Sequence, residues 1–532
     1  MPALEWIGKQ KVINHHQQVP YRVLERQYSF DAAGQHDEDN GSSNMIIHGD
    51  NLEALKSLLP LYEGAVKCIY IDPPYNTGNE GWVYNDNVND PKIKKWLGEV
   101  VGKEGEDLSR HDKWLCMMYP RLKLLHKLLA DDGVIFISID EIEHRYLELI
   151  MDELFGANNR IDTFVWQNNY GGGAKSNFVV HLHEYVLCFA KNIGTVGKLE
   201  LPPDENILKY YKYKDEKFDV RGPYRLQPLA TTSMDDRPNL RYPLYFEGHE
   251  IWPEKQWFWS KERALDAQAS NDLVFSQRNG KWSVNYKQYL NGTDGAERKS
   301  KPYSIITGIY TQAGTKEIKN IMGNGKAFDF PKPPDLIKHF IQMVTASDDI
   351  ILDSFAGSGT TAHAVLNMNK ADGGNRKFIL IEMMDYADSI TAERVKRVIS
   401  GYGEGQSAVE GTGGDFSFYE LGEVMLHSDS NLNETLDTEK IRQYVYFTET
   451  RQPLAPSPEA DNPYFLGLHS NAAYYFYYDK LKITTLDRAF LTTLGTKADR
   501  YIIYADLCTL SEKELTRFGI TFKKIPRDIA KL

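Results

Sequence analysis

The stretch DPPY, residues 72–75, places a carboxylate, two prolines and an aromatic ring directly after an apolar run. Asp72 accepts hydrogen bonds, and Pro73 and Pro74 lack an N–H, so their carbonyls can only accept. Tyr75 adds a flat face for stacking. This set suits an exocyclic amino group on a planar base, which donates to Asp72 and to the Pro73 carbonyl and turns its lone pair toward an electrophile. The alternative is a proline-rich turn with a capping Asp.

A second stretch, FAGSGTT at 355–361, lies between an apolar run and a helical pattern. Gly357 and Gly359 let the backbone approach a ligand closely, and the helix N-terminus favours negative charge. Glu382 ends another apolar run about 20 residues later, a spacing that suits an acid bonded to a ribose diol. The third glycine of G-x-G-x-x-G is absent, because Ala362 stands there. The pattern indicates a nucleotide-type site, and a tight structural turn is the alternative.

Alternating strand and helix patterns position both stretches. Strand patterns precede and follow a central interruption, at 44–50, 67–72, 134–140, 163–167, 184–192, 349–355 and 376–383. Helical patterns lie between them, for example at 114–133 and 360–370. This alternation predicts an α/β protein with a parallel, doubly wound sheet. Ligands of such sheets bind at the carboxyl ends of the strands, where Asp72 and Glu382 are expected.

Residues 195–328 form the interruption, with short aromatic strands broken by Gly, Pro and Asn. They carry 21 Lys and Arg against 17 Asp and Glu, in a chain of net charge −12. An acidic average argues against nucleic acid only weakly, since phosphate contacts need just a local basic surface. We expect six regions: an N-terminal arm (1–43), two halves of the α/β domain (44–194 and 329–402), the insertion (195–328), a linker (403–429) and a C-terminal α+β domain (430–532).

The 532-residue composition is that of a globular protein, with 42% hydrophobic and 26% charged residues. No apolar run reaches membrane-spanning length and no signal peptide is evident, so a cytoplasmic location without membrane association is expected. The four cysteines show no C-x-x-C pairing, which favours neither a disulfide framework nor a zinc site. The stretch HLHE at 181–184 lacks companion ligands, so no metal is expected.

DPPYNTG followed by FAGSGTT resembles the amino-directed, S-adenosylmethionine-dependent DNA methyltransferases of the β class, in which the catalytic motif precedes the glycine motif. HGDNLEALK, RPNLRYPLY, FDFPKPPDLIKH and FKKIPRDI resemble modification subunits of type III restriction–modification systems and their solitary relatives. The resemblance runs from about residue 20 to the end of the chain. It implies a Rossmann-like methyltransferase fold with permuted motif order, 195–328 as target recognition domain and 430–532 as interaction domain.

The same resemblance assigns roles to individual residues. Asp72, Pro73, Pro74 and Tyr75 match the catalytic motif. The implied contacts to S-adenosylmethionine come from Asp50 and Asn51 near the adenine, Glu382 at the ribose, Phe330, Pro331 and Lys332 at the methionine end, and Asp353, Phe355, Gly357 and Gly359 in the loop. Within the insertion, Arg221, Arg225, Arg237 and Arg241 are candidates for contacts to phosphate or guanine edges, although each alone is more often a solvated surface group.

The expected function is sequence-specific methylation of adenine N6 in a flipped-out base. The Asp of DPPY favours adenine, because cytosine-N4 enzymes usually carry Ser there; cytosine-N4 methylation is one alternative. Another is a chain that mainly reads DNA and docks a restriction complex. ATP-driven translocation would need a separate helicase and nuclease subunit, since G-x-x-x-x-G-K-[ST] is absent. The expected partners are double-stranded DNA, a second copy in a homodimer, and that restriction subunit. An NAD-dependent dehydrogenase would leave DPPY unexplained.

Overall fold

Two units make up the molecule, Leu199–Pro302 and the remainder of the chain. The computed structural model describes residues 4–76, 95, 110–171, 178–203, 205–232, 235–455, 462–526 and 528–531. The insertion is therefore shorter than the predicted 195–328. Residues 303–328 belong to the larger unit, because Ile305–Ile306 joins its sheet and Arg397 donates to the Ile321 carbonyl at 2.9 Å. Residues 92–114 are rich in charged side chains, and only 95 and 110–114 of them are among the described residues.

The described part of the larger unit contains a central sheet of eleven strands. In chain order they are β1 (Arg22–Asp31), β2 (Gly34–His36), β3 (Met45–His48), β4 (Val66–Ile71), β5 (Leu129–Ile139), β6 (Arg160–Gln167), β7 (His183–Ala190), β8 (Ile305–Ile306), β9 (Ile350–Asp353), β10 (Lys377–Glu382) and β11 (Asp415–Val424). Across the sheet the order is β8-β6-β7-β5-β4-β9-β10-β3-β11-β1-β2.

The centre of this sheet is parallel, as predicted. Strands β3, β10, β9, β4 and β5 lie side by side in this order, and each adjacent pair among them is parallel. Strand β7 is an exception, because it runs antiparallel to both β5 and β6. Hydrophobic periodicity identifies a strand but carries no information about its direction. The predicted α/β sheet with a parallel centre, two of whose strands (β9 and β10) come late in the chain, is thus confirmed; two of its strands are reversed, β7 on one side of the centre and β1 on the other.

Helices cover the faces of the sheet and bury its apolar residues. The larger ones are Asn51–Tyr62, Arg110–Leu128, His144–Met151, Thr311–Met322, Pro334–Val344, Thr360–Asp372 and Glu393–Ser400. Helix Asn51–Tyr62 begins where the Asp50 carboxylate accepts from the backbone N–H groups of Leu52 and Glu53. Ile69, Ile135 and Leu352 are fully buried in the main core. No helix of the described residues combines the length and apolarity needed to cross a membrane.

The predicted N-terminal arm and linker are wrong in part, because both contribute strands to the sheet. Strand β1 pairs antiparallel with β11, and β11 pairs in parallel with β3. Phe416 and Phe418 of β11 are buried on one face. The neighbouring Gly- and Asp-rich residues obscured this alternation in the sequence. The sheet therefore continues past the cofactor-side strands instead of ending there.

Residues 430–532 form a mixed region of helices and strands, as expected. Helix Thr438–Thr450 accompanies a four-stranded sheet in the order Phe465–His469, Ala472–Phe476, Arg500–Ala505 and Ile520–Lys524, and helix Glu512–Arg517 precedes its last strand. The core of this region also contains Val23 of β1 and Met425. It is consequently packed against the end of the central sheet, within the same unit.

The smaller unit has its own core. A three-stranded sheet joins Leu273–Arg278, Lys281–Tyr289 and Tyr224–Pro228, next to the hairpin Leu244–Phe246/His249–Ile251, the pair Ala230–Thr231/Gln256–Trp257 and helix Lys261–Ala269. Leu229, Tyr242 and Trp257 are buried in this core. In the aromatic stretch at 252–259, Trp257 thus packs inside, whereas Trp252 and Phe258 are exposed.

Candidate active site

Four acids lie along one edge of the sheet, at or just after the carboxyl ends of adjacent parallel strands. Asp50 follows β3, Asp72 follows β4, Asp353 ends β9 and Glu382 ends β10. Strand β4 is the direct neighbour of β9, which brings DPPY beside FAGSGTT. A cleft is lined by residues of both stretches, of the strand ends and of the region around the start of helix Pro334–Val344: Tyr70, Asp72, Phe328, Phe330, Pro331, Lys332, Ile337, Asp353, Phe355, Ala356, Gly357, Ser358, Thr360 and Thr361.

Lys332 is bound to the carboxylate of Asp72. Its Nζ lies 2.9 Å from Oδ1 and 2.8 Å from Oδ2, and it also donates to the Tyr75 hydroxyl at 2.8 Å. Burial alone lowers the pKa of Lys332, but the carboxylates of Asp72 and Glu184 outweigh it, so this pKa lies above its ordinary value. The ammonium is therefore charged and shared between two acids.

The turn after Asp72 is fixed by side chains from other elements. The indole N–H of Trp114 donates to the Pro74 carbonyl at 2.6 Å. Asn76 has a φ of 59° and donates through Nδ2 to Glu143 at 2.5 Å and to the Arg110 carbonyl at 3.1 Å. Side-chain hydrogen bonds thus stabilise the left-handed backbone at Asn76, and DPPY is held rigidly at the strand end.

The glycine loop closes around the carboxylate of Glu382. Oε2 accepts from the backbone N–H of Gly357 at 2.8 Å and Oε1 from that of Met384 at 3.0 Å. Burial raises the pKa of Glu382 to about 7, although these N–H donors oppose the shift. Gly359 has a φ of 79°, and an added Cβ would meet the Thr391 carbonyl oxygen at 3.0 Å. Only glycine suits this position.

Asp353 and Arg394 support the loop from within. Asp353 accepts hydrogen bonds from the Thr361 hydroxyl at 2.5 Å and from the Phe355 N–H at 3.0 Å. Burial raises the pKa of Asp353 to about 7. The fully buried Arg394 donates to the side-chain oxygens of Ser358 and Thr360, both at 2.7 Å. Arg394 did not feature in the sequence analysis, because a single Arg in an amphipathic helix carries no distinguishing pattern.

Asp50 and Asn51 tie the end of β3 to the end of β9. Asn51 donates to the Ser354 carbonyl at 3.2 Å, and Arg121 donates to Asn51 and lies 3.4 Å from Asp50. Phe330, by contrast, is half exposed and has a φ of 51°. All the predicted catalytic and cofactor residues thus lie along one edge of the sheet or in the segments beside it.

A protein-family model described as DNA methylase matches residues 66–393, more than half of the chain. The chain belongs to this DNA methylase family. The matched span includes both DPPY and the glycine loop. The resemblance inferred from the motifs is therefore confirmed at the level of the family.

Three curated relatives are similar over most of this chain. The StyLTI Mod subunit of a type III restriction-modification enzyme from Salmonella typhimurium is 34% identical over 68% of this chain and 58% of its own length. The EcoPI Mod subunit of Escherichia phage P1 is 33% identical over 71% of this chain and 63% of its own length. The type II methyltransferase M.KpnI of Klebsiella pneumoniae is 34% identical over 65% of this chain and 81% of its own length. The chain spans about three fifths of the length of the two type III relatives.

The four arginines that the sequence analysis singled out in the smaller unit of this DNA methylase family member differ in environment. Arg221 pairs with Asp272 at 3.0 Å and stacks 3.9 Å from the Tyr289 ring centroid. Arg225 donates to Gln288 at 2.8 Å, and Arg241 pairs with Asp236 at 2.6 Å. Arg237 is exposed and uses its backbone N–H to bond Gln256. Arg221 is thus integrated into the fold of the unit, whereas Arg237 presents its side chain to solvent.

Glu184 is a further site residue whose contacts the sequence did not reveal. It closes the stretch HLHE, yet its carboxylate accepts from the Tyr75 hydroxyl at 3.0 Å and lies 3.5 Å from Lys332 Nζ. Within the described ranges, no group of three or more His, Cys, Asp or Glu residues could hold a metal. The sequence indicated only that Glu184 lies near the start of β7. No local pattern connects that position with DPPY.

Proposed function

We propose that the protein is a site-specific DNA methyltransferase that uses S-adenosylmethionine to methylate adenine N6. The observation that carries the proposal is the shared cleft, in which Asp72 and Gly357 line the same space. A base amino group held at Asp72 therefore lies next to a methyl donor held by the glycine loop. The family membership and the relatives named Mod subunits support the same activity.

The residues present fit S-adenosylmethionine, which when bound supplies a methyl group already activated on a sulfonium. The Glu382 carboxylate, 5% exposed at the end of β10, suits the ribose hydroxyls. Backbone without side chains at Gly357 and Gly359 suits close approach. The further proposed contacts are Asp50 and Asn51 toward the adenine, with Phe330, Lys332, Asp353 and Phe355 toward the methionine end. We expect this set to bind the cofactor.

Asp72 would accept the amino group of the target base while Lys332 remains in place. Each carboxylate oxygen has two lone pairs, so it accepts from the ammonium and from the base together. The Pro73 carbonyl would take the second amino hydrogen, Pro74 stiffens the turn, and the Tyr75 ring would stack on the base. An adenine inside a duplex cannot reach these groups, so it must flip out.

Leu199–Pro302 is the proposed target recognition domain. The exposed Arg237 suits phosphate or guanine contacts, and the exposed rings of Trp252 and Phe258 suit stacking. Double-stranded DNA is the proposed partner of this unit. A second copy of the chain and a restriction subunit are further proposed partners, the latter supported by the Mod names of the relatives. Residues 430–532 are proposed as the docking region for such a subunit.

The test uses purified full-length protein, DNA and S-adenosylmethionine labelled on the methyl group. Wild-type protein should label adenine N6, and Asp72→Ala should lower the rate at least about 100-fold, because a bond to a charged group is lost in the transition state. Asp131→Asn is the control, since that side chain is 86% exposed. No label in DNA, or full activity of Asp72→Ala, would overturn the proposal. Label on cytosine N4 would show that the target base is cytosine and not adenine.

A further inference from the structure

We infer that Glu184 is a positioning residue for methyl transfer, which acts through Tyr75 and Lys332. The inference rests on the proposed function and adds a residue outside DPPY and the glycine loop. Glu184 lies on β7, which runs antiparallel to both of its neighbouring strands. In the pairing of β7 with β6, Glu184 is opposite Trp166. Its side chain is 18% exposed and contacts Lys332, which lines the cleft.

Both carboxylate oxygens of Glu184 are engaged by polar groups. Oε1 accepts from the side-chain amide of Asn168 at 2.9 Å. Oε2 accepts from the Tyr75 hydroxyl at 3.0 Å and lies 3.5 Å from Lys332 Nζ. Asn168 therefore orients the carboxylate, and the other oxygen, Oε2, contacts two groups of the proposed active site.

The first consequence concerns the proton of the Tyr75 hydroxyl. This hydroxyl has one proton to donate, and its oxygen already accepts from Lys332 at 2.8 Å. Asp72 is the other acid near this hydroxyl, because Lys332 Nζ contacts both Asp72 Oδ2 and the Tyr75 hydroxyl at 2.8 Å. Donation to Glu184 keeps the proton away from Asp72, whose lone pairs stay available to the base amino group. The same bond fixes the rotation of the ring proposed for stacking.

The second consequence concerns the place of the Lys332 ammonium. Asp72 lies on one side at 2.8 Å and Glu184 on the other at 3.5 Å, with the ring centroids of Tyr75 and Trp166 at 4.8 and 5.9 Å. Two acids hold one cation, so neither takes all of its charge. Without Glu184 the ammonium would pair with Asp72 alone and compete more strongly with the amino group of the base.

The experiment is a single-turnover methylation assay at saturating cofactor and DNA. Glu184→Gln should lower the rate at least about 10-fold, because Gln keeps the shape and loses the charge. Its affinity for S-adenosylmethionine, measured by calorimetry, should fall by less than the methylation rate, because Glu184 contacts the proposed cofactor side only through Lys332 but the base side through Tyr75 as well. Glu141→Gln is the matched control, because Glu141 follows β5 at the same edge and pairs with His181.

A double-mutant cycle with Tyr75→Phe separates positioning from a merely structural role. Because Glu184 acts partly through the Tyr75 hydroxyl, the double variant should lose less activity than the product of the two single losses. Losses that multiply, or a wild-type rate for Glu184→Gln, would overturn the inference. A melting temperature that falls in step with the rate would do the same. Absence of methylation by the wild type would instead count against the proposed function.

Discussion

Lys332 Nζ lies within 2.9 Å of both carboxylate oxygens of Asp72, although 260 residues separate them in the chain. The two side chains are only 10% and 11% exposed, so the pair is held largely out of water. One partner follows strand β4 and the other precedes helix Pro334–Val344. The ion pair thus joins the two halves of the methyltransferase fold at the cleft, and it bears directly on the charge of Asp72.

Replacing Lys332 by Met should make methylation strongly pH-dependent. Burial would then raise the pKa of Asp72 without an opposing cation, so that the carboxyl is protonated at lower pH and loses acceptor capacity. Activity should be lost as pH falls through the raised pKa and recover in part as pH rises. At pH 7 we expect a loss of about 10-fold or more. Rates measured from pH 6 to 9, with Lys338→Met as control, check this; a flat profile would contradict it.

The contribution of Asp353 to the stability of the protein without ligands should fall as pH rises from about 4 to about 7. The pKa of Asp353 is about 7 in the fold against an ordinary 3.8, so the folded state binds the proton more tightly than the unfolded chain. This contribution is complete below the ordinary pKa and is lost as pH rises through the folded one, at up to about 1.4 kcal/mol per pH unit. Urea unfolding at pH 5 and 7.5 should show a smaller decrease for Asp353→Asn, whereas an unchanged decrease would argue against this assignment.

Gly359→Ala should weaken cofactor binding and destabilise the fold by about 1–3 kcal/mol. The new Cβ would meet the Thr391 carbonyl oxygen at 3.0 Å while the backbone stays at a φ of 79°. Gly373→Ala is a matched control, because Gly373 caps the same helix at a φ of 70° with open space around it. The difference between the two variants in urea unfolding isolates the contact with Thr391. Equal losses would mean that backbone strain alone is responsible.

Arg237→Ala and Arg221→Ala should affect different properties: the first should weaken DNA binding, and the second should lower stability. Removing Arg221 breaks the pair with Asp272 and the stacking on Tyr289, so the smaller unit should lose about 1–2 kcal/mol of stability. Removing the exposed Arg237 should leave the melting temperature unchanged and weaken DNA binding. Fluorescence anisotropy at two salt concentrations, with thermal melting alongside, checks both. Unchanged DNA affinity of Arg237→Ala would exclude that residue from the interface.

Truncation after residue 425 should destabilise the protein instead of removing a separate module. The core of the C-terminal region includes Val23 of strand β1, and Phe447 of helix Thr438–Thr450 belongs to the main core. Loss of these contacts would expose apolar surface of the sheet. We expect aggregation or a lower melting temperature, seen by light scattering and thermal melting. A stable, active truncated protein would show that the region is dispensable for folding.

The amino-acid sequence by itself determined the local features of the site. Asp72 and Glu382 were placed at strand ends because apolar runs stop there, and Gly357 and Gly359 were assigned to a loop because only glycine tolerates the required backbone. The predicted parallel centre and the family were confirmed for the same reason: each depends on short stretches whose pattern is complete within a few residues.

Only the tertiary structure decided which of these features meet. Strand order places β4 beside β9, and long-range packing brings Lys332 and Glu184 to Asp72 and Tyr75. The same holds for β1 and β11, predicted as arm and linker, which complete the sheet through pairing between segments almost 400 residues apart. Hydrogen bonds between distant strands and ion pairs between distant side chains leave no periodic trace in the chain, so sequence patterns could not reveal them.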